Sequence, residues 1–210
     1  MRRSSPSHRD ERCALVANVG GRAYAYLLGQ YLGDGHISSH RRGVYRLRIA
    51  ACDDYPVIRE ECELAMELVM PSRRIGRLPR TGCTELSCYS KHWPCLFPQH
   101  GSGPKHARPI VLEPWQEQLV LDQYPKELLR GLIHSDGWRG TNTVKSSRDP
   151  TKRYAYPRYQ FSNRSADIRE IFVRACDQLS IACRSSNAWT ISIARREAVG
   201  ALDRFVGPKQ

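Results

Sequence analysis

The chain repeats itself. Residues 26–37 read YLLGQYLGDGHI and residues 128–139 read LLRGLIHSDGWR. Aligning them sets Gly29 on Gly131, Gly33 on Ser135, Asp34 on Asp136 and Gly35 on Gly137, an offset of 102 residues in a chain of 210. A repeat at about half the chain length points to two similar units fused in one polypeptide.

The likeness continues past the repeated block. Tyr45 to Ile49 (YRLRI) alternates, with Tyr45, Leu47 and Ile49 on one face and Arg46 and Arg48 on the other. Pro157 to Asn163 (PRYQFSN) alternates in the same way, with Tyr159 and Phe161 opposite Arg158, Gln160 and Ser162. Period two is the signature of a half-buried strand. Each strand leads into an amphipathic helix. The first carries Val57, Ile58, Cys62, Ala65 and Val69 behind a candidate cap at Asp54. The second carries Ile168, Ile171, Phe172, Ala175 and Leu179 behind Ser165. A further alternating run follows in each half, Thr84 to Cys88 and Trp189 to Ile193, and a short helix closes each, near Trp93–Phe97 and Glu197–Phe205. The predicted organisation is an arm over 1–21, a first half over 22–97, a Pro- and Gly-rich linker over 98–120, and a second half over 121–207.

The repeated helices carry two oddities. Glycine inside a helix costs about 1 kcal/mol relative to alanine, yet Gly29 and Gly33 stand four residues apart on one face, and Gly131 and Ser135 repeat that spacing. Small residues on one face let two helix backbones approach closely, so the two segments are expected to pack on each other. The second oddity is Asp-Gly at each end. Gly35 and Gly137 suit a left-handed helix stop. The aspartates have no such excuse, since a carboxylate at a helix C-terminus faces the negative end of the macrodipole. Asp-Gly is also a common turn signal. Twice repeated beside a helix contact, it brings two carboxylates close, which a divalent cation such as Mg2+ would relieve.

A net charge of +12 favours a polyanionic partner, because lysines and arginines that meet phosphates release counterions. No apolar run reaches the length of a membrane span, and no signal-peptide core follows residues 1–12, so a cytoplasmic, DNA-associated chain with reduced thiols is expected. Cys83, Cys88, Cys95, His100 and His106 form a loose set open to a zinc reading, though their spacing matches no tight zinc pattern.

LLGQYLGDG and LRGLIHSDG resemble the two motifs of a single-chain LAGLIDADG homing endonuclease, over about residues 22–206. That resemblance implies an α+β fold of two pseudo-symmetric αββαββα-like halves, with the motif helices at the centre and curved antiparallel sheets forming a saddle over double-stranded DNA. It implies a monomer with internal pseudo-twofold symmetry and Mg2+-dependent cleavage of both strands. Asp34 and Asp136 would be the catalytic metal ligands, with the carbonyls of Gly33 and Ser135 as supplementary ligands. The family also often places a basic residue after the last strand of each half. Lys91 takes that place in the first half and Arg195, or Arg196, in the second, so the two centres are expected to be unequal. Arg46, Arg48, Arg74, Arg77, Arg158 and Gln160 would contact DNA, and Asn163 would orient water near the centre. Two other roles stay open on the same scaffold, a DNA-binding regulator that does not cleave and an RNA maturase. An intein origin is disfavoured, because the ends show neither a Cys or Ser nucleophile nor a His-Asn pair.

Overall fold

The structure is a computed structural model that describes residues 20–71, 73–145, 149 and 151–207. Apart from Gly20 and Gly21, the expected arm over 1–21 lies outside the described residues, and Gly21 already belongs to the first helix.

Each half runs helix, hairpin, helix, hairpin, short helix. The first half is α1 (Gly21–Asp34), β1 (Gly35–Ser39), β2 (Tyr45–Cys52), α2 (Pro56–Val69), β3 (Gly76–Arg80), β4 (Cys83–Ser90) and α3 (Trp93–Leu96). A connecting stretch then reaches α4 (Pro114–Glu117), which continues into a π-helical turn over Gln118–Gln123. The second half is α5 (Pro125–Asp136), β5 (Gly137–Lys145), β6 (Arg153–Ser162), α6 (Ala166–Gln178), β7 (Arg184–Asn187), β8 (Thr190–Ile193) and α7 (Arg196–Asp203). Both sheets are four-stranded and antiparallel, in the orders β1-β2-β4-β3 and β5-β6-β8-β7. The repeat in the sequence is therefore a repeat in topology. No helix among the described residues is long and apolar enough to cross a membrane.

The period-two pattern sorts each sheet into two faces. Leu47, Ile49, Leu86 and Cys88 in the first sheet, and Tyr159, Phe161, Ile191 and Ile193 in the second, are buried against the helices. Arg46 and Arg48, and Arg158 and Gln160, lie on the opposite, open faces. The stripes of α2 and α6 bury as their spacing requires, except that Val57 is exposed. Ser165 caps α6, its hydroxyl accepting from the Ile168 amide at 3.4 Å. Asp54 does not cap α2: the N-cap is Tyr55, with Pro56 in the first turn, where its missing N–H costs nothing.

The motif helices α1 and α5 cross at the centre as their small residues require. A Cβ on Gly29 would lie 2.6 Å from the Leu132 amide nitrogen and 2.7 Å from the Leu128 carbonyl oxygen, and one on Gly131 would strike the Tyr26 carbonyl. Ser135 Oγ donates to the Leu132 carbonyl at 3.0 Å and approaches the Gly29 carbonyl at 3.4 Å, so the serine hydroxyl is spent inside the crossing. A buried polar network flanks it. Gln30 Nε2 donates to the Tyr26 hydroxyl at 2.9 Å, which shares a 3.0 Å hydrogen bond with His134 Nδ1.

The stretch between the halves is tied down. Ile110 and Leu112 are buried in the core. Gln99 Nε2 donates to Gln116 Oε1 at 2.6 Å, and Gln116 Nε2 to the Tyr24 hydroxyl of α1 at 2.6 Å. The Ile110 amide donates to Asp167 Oδ2 of α6 at 2.7 Å.

Candidate active centre and nucleic-acid interface

Asp34 and Asp136 end the two crossed helices, and the chain passes from each directly into a strand with no intervening loop. Gly35 and Gly137 were expected in the left-handed region. They are extended instead, at φ −88°, ψ 154° and φ −94°, ψ 161°. Their glycine character answers a close approach. A Cβ on Gly35 would lie 2.5 Å from Tyr31 Cα, and one on Gly137 2.6 Å from Ile133 Cα. The strand folds back tightly against the helix it leaves, which fixes each aspartate at the junction.

The crossing brings the two helix ends together. A Cβ on Gly33 would clash with the Ser135 hydroxyl and stand 3.1 Å from Asp136 Oδ2. Asp136 Oδ2 also accepts from Asn163 Nδ2 at 2.6 Å, so Asn163 acts by orienting this carboxylate. Gly137 pairs with Phe161 and Gly35 with Ile49, so the register counterpart of Asn163 in the first half is Ala51. The two centres differ accordingly.

Beside them stands Lys105, which no motif or periodicity singles out. Its Nζ donates to the carbonyls of Tyr31 at 2.5 Å, Leu32 at 3.0 Å and Gly33 at 2.8 Å. It thereby satisfies the last carbonyls of α1 and meets the negative end of the helix dipole. Burial pushes this ammonium down to about 8, against the pull of Asp136 and Asp34 and with a push from Arg108. Lys105, Arg108, His36, Asn163, Arg164 and Asp136 line one cleft of about 400 Å3. Burial, then the nearby charges of Arg48, Lys105 and Arg108, lower the pKa of the His36 imidazole. A carboxylate set among cations at the mouth of an open sheet suits a phosphodiester.

The donor set fits a hard divalent cation. Carboxylate and carbonyl oxygens are the ligands Mg2+ prefers, and it commonly takes one or two protein carboxylates and completes its shell with water and phosphate. The described residues contain no group of three or more His, Cys, Asp or Glu that could hold a metal. Cys83, Cys88, Cys95, His100 and His106 are not drawn together as a ligand group among the described residues, whereas a two-carboxylate centre that needs its substrate to complete it is compatible. The Gly33 carbonyl carries a complication, since one of its lone pairs already accepts from Lys105.

The other expected residues divide. Arg46 Nη2 donates to Glu85 Oε1 at 2.7 Å and to Ser87 Oγ at 3.2 Å, and Arg48 Nη1 stands 3.6 Å from Glu85 Oε2. Glu85 thus holds both guanidinium groups on the open face of the first sheet. Arg158 and Gln160 occupy the open face of the second. Arg74 is exposed ahead of β3. Arg77 lies on the other face of the first sheet. It pairs with the buried Leu86, so it faces the helices, and its Nε donates to Glu63 Oε2 of α2 at 2.9 Å. Lys91 is exposed after β4, and Arg195 caps α7 beside Arg184 and Ser192; neither lines the cleft of Asp136.

No family model and no curated protein matches the chain. Solved structures do match. The homing endonuclease I-DmoI in complex with DNA and Mn is 16% identical, with a TM-score of 0.58, covering 92% of this chain and 99% of that one. The LAGLIDADG meganuclease I-AabMI bound to uncleaved DNA is 10% identical, with a TM-score of 0.56, covering 87% and 82%. The N-terminal LAGLIDADG domain of DUF199/WhiA is 12% identical, with a TM-score of 0.54, covering 100% and 93%. At these identities the likeness establishes the fold: the chain has the two-motif LAGLIDADG architecture, with α1 and α5 as its motif helices.

Proposed function

We propose that this chain, built on the LAGLIDADG fold, binds double-stranded DNA across the open faces of its two sheets and hydrolyses a phosphodiester in each strand. The observation that carries this reading is the pair of aspartates at the crossed ends of α1 and α5, with the Lys105 ammonium held beside them.

Asp34 and Asp136 would hold a divalent cation, with the Ser135 carbonyl and, once shared with Lys105, the Gly33 carbonyl as further ligands. Such a cation supplies Lewis-acid activation of water and neutralises charge on the leaving oxygen. The chain's own residues do the rest. Asn163 fixes the rotamer of Asp136. Lys105 and Arg108 place positive charge where the phosphorane develops its negative charge, in a partly buried cleft where it counts for more than in water. Arg46, Arg48, Arg158 and Gln160 contact base edges or backbone, and Lys91, Arg74 and Arg195 sit where flanking phosphates could reach them.

A second reading is favoured by one contact. Lys105 already occupies one lone pair of the Gly33 carbonyl, which leaves that carbonyl less free to ligate a cation and suits a protein that binds DNA without cutting it.

Incubation of the protein with Mg2+ and genomic duplex DNA, followed by mapping of ends, separates the two. Asp34→Asn and Asp136→Asn should each abolish cutting while leaving binding within a few-fold. Because Asn163 serves only the Asp136 centre, nicked duplex should accumulate before linear product. Selective binding with no cut in either strand would reject the nuclease reading and leave the regulator.

A further inference from the structure

We infer that the β5–β6 ribbon reads a longer half-site than the first sheet does, and that it recognises thymine methyl groups there. This rests on the proposed DNA-binding role. The two sheets share a topology but differ in length at the outer hairpin. β5 has nine residues and β6 ten, against five in β1 and eight in β2. Four further residues on β5 at about 3.3 Å each extend the ribbon by about 13 Å, or about four base pairs at 3.4 Å per step.

The added length carries a distinct chemistry. Register sets Trp138 beside Gln160, Asn142 beside Tyr156 and Val144 beside Tyr154, all on the open face. Trp138, Val144, Tyr154 and Tyr156 are 45–49% exposed. Large apolar side chains left to water on one face of a sheet mark a binding surface. The Trp138 indole lies along the strand over Gly140, where an added Cβ would stand 2.6 Å from the indole Cε2. The rings of Tyr154 and Tyr156 stack, with centroids 6.2 Å apart and planes at 21°. On the β1–β2 pair the open face instead presents His36, Ser38, Arg46 and Arg48. Its aromatic neighbour, Tyr89, is 43% exposed but is flanked by the Arg46 guanidinium and the His40 ring rather than by further apolar side chains.

The occupant this surface fits is the thymine-lined major groove of a duplex. A two-stranded ribbon is a shape that groove admits, and apolar side chains there contact the thymine C5-methyl. The row continues that of Gln160 and Arg158, so one duplex passes over both. The arginines of the first sheet match guanine N7 and O6.

Binding selection with the full chain, a random duplex library and Ca2+ tests this. The selected site should hold guanine in its inner positions over the first sheet and a thymine-rich outer stretch on the other side. Replacing those outer thymines with deoxyuridine keeps every hydrogen bond and removes only the methyls. Affinity should fall about tenfold if two methyls are buried, while the same exchange in the other half-site should change it less than twofold. A Tyr154→Ala/Tyr156→Ala variant should lose this sensitivity and still bind the inner positions. Equal footprints on both sides, or indifference to deoxyuridine, would overturn the inference while leaving duplex binding intact. Tighter binding of single strands than of duplex would overturn it in favour of stacking on unpaired bases. Failure to bind any nucleic acid would remove the proposed function itself.

Discussion

Substitution of Gly29 by alanine tests the helix crossing on which the candidate centre depends. In an exposed helix the exchange stabilises by about 1 kcal/mol. Here the new Cβ would meet three backbone atoms of α5, the Leu132 nitrogen at 2.6 Å, the Leu128 oxygen at 2.7 Å and the Gly131 carbonyl carbon at 2.8 Å. Backbone atoms cannot turn aside as a side chain can, and ordinary contact begins near 3.4 Å, so the helices must part by roughly 0.8 Å. Overpacking of this kind costs about 1–3 kcal/mol. At the upper end, and after the propensity gain, the net loss is about 2 kcal/mol, or about 4–8 °C in Tm for a chain of this size. Gly200→Ala is the control. Gly200 lies inside α7 with nothing within 4 Å of an added Cβ, so that variant should melt about 2–4 °C above the parent. Thermal melts by circular dichroism at one protein and salt concentration measure both. If Gly29→Ala melts above the parent by the same 2–4 °C as Gly200→Ala, the new Cβ meets nothing, α1 and α5 do not cross in the way described, and the argument that the two aspartates converge fails with them.

Three further outcomes follow from the same geometry. Lys105→Met should lower cleavage by about 100-fold, through loss of a positive charge held beside the reacting centre, whereas Lys91→Met should leave single-turnover rates nearly unchanged. Arg48→Ala should cost about 1–3 kcal/mol in binding and relax the preference for one guanine, whereas Arg77→Ala should leave the selected sequence as it is, because Arg77 faces Glu63. Asp203→Asn should cost about 1 kcal/mol at pH 7, a modest figure because the pair with Arg139 is about a third exposed and screened. The Arg139 guanidinium, with the Tyr159 hydroxyl, holds the Asp203 carboxyl below its usual range. That contribution is therefore present above the unfolded value of 3.8 and lost as pH falls through the lower folded one. Urea unfolding at pH 7 and again at pH 3 should show the gap between variant and parent narrowing in acid.

The elements legible in the sequence are those whose side chains are sorted by burial. β2 and β6 alternate because one face packs on helices, and α2 and α6 show stripes for the same reason. The motif helices were legible through repetition, and their close crossing through Gly29, Gly33, Gly131 and Ser135. β1 and β5 left a weaker trace. GHISS is short, and GWRGTNTVK is exposed along most of its length, so backbone pairing rather than burial makes each a strand. Arg77 could not be told from its neighbours, since the face it takes depends on its register with β4. Lys105 was invisible for a different reason. It sits in an aperiodic Pro- and Gly-rich stretch, and its partners are backbone carbonyls, which any sequence would supply. The Asp-Gly step does not reveal its own geometry, because glycine serves a close approach as readily as a positive φ, and only the folded chain distinguishes the two.

The stretch between the halves bears on how such proteins could be recombined. A chimera that joins this first half to a foreign second half would ordinarily be cut within residues 98–113, as though they were a tether. Here those residues belong to the first half's machinery, because Gln99 reaches Tyr24 through Gln116 and Lys105 terminates α1. They are also tied to the other half, by the bond from the Ile110 amide to Asp167 and by their packing along α6. A junction placed just before α5 would carry the whole clasp with its donor and ask the incoming half for small residues at the crossing and an acidic residue at the start of its own second helix. Exchange within the stretch would hand over a half whose central helix has lost its terminating cation.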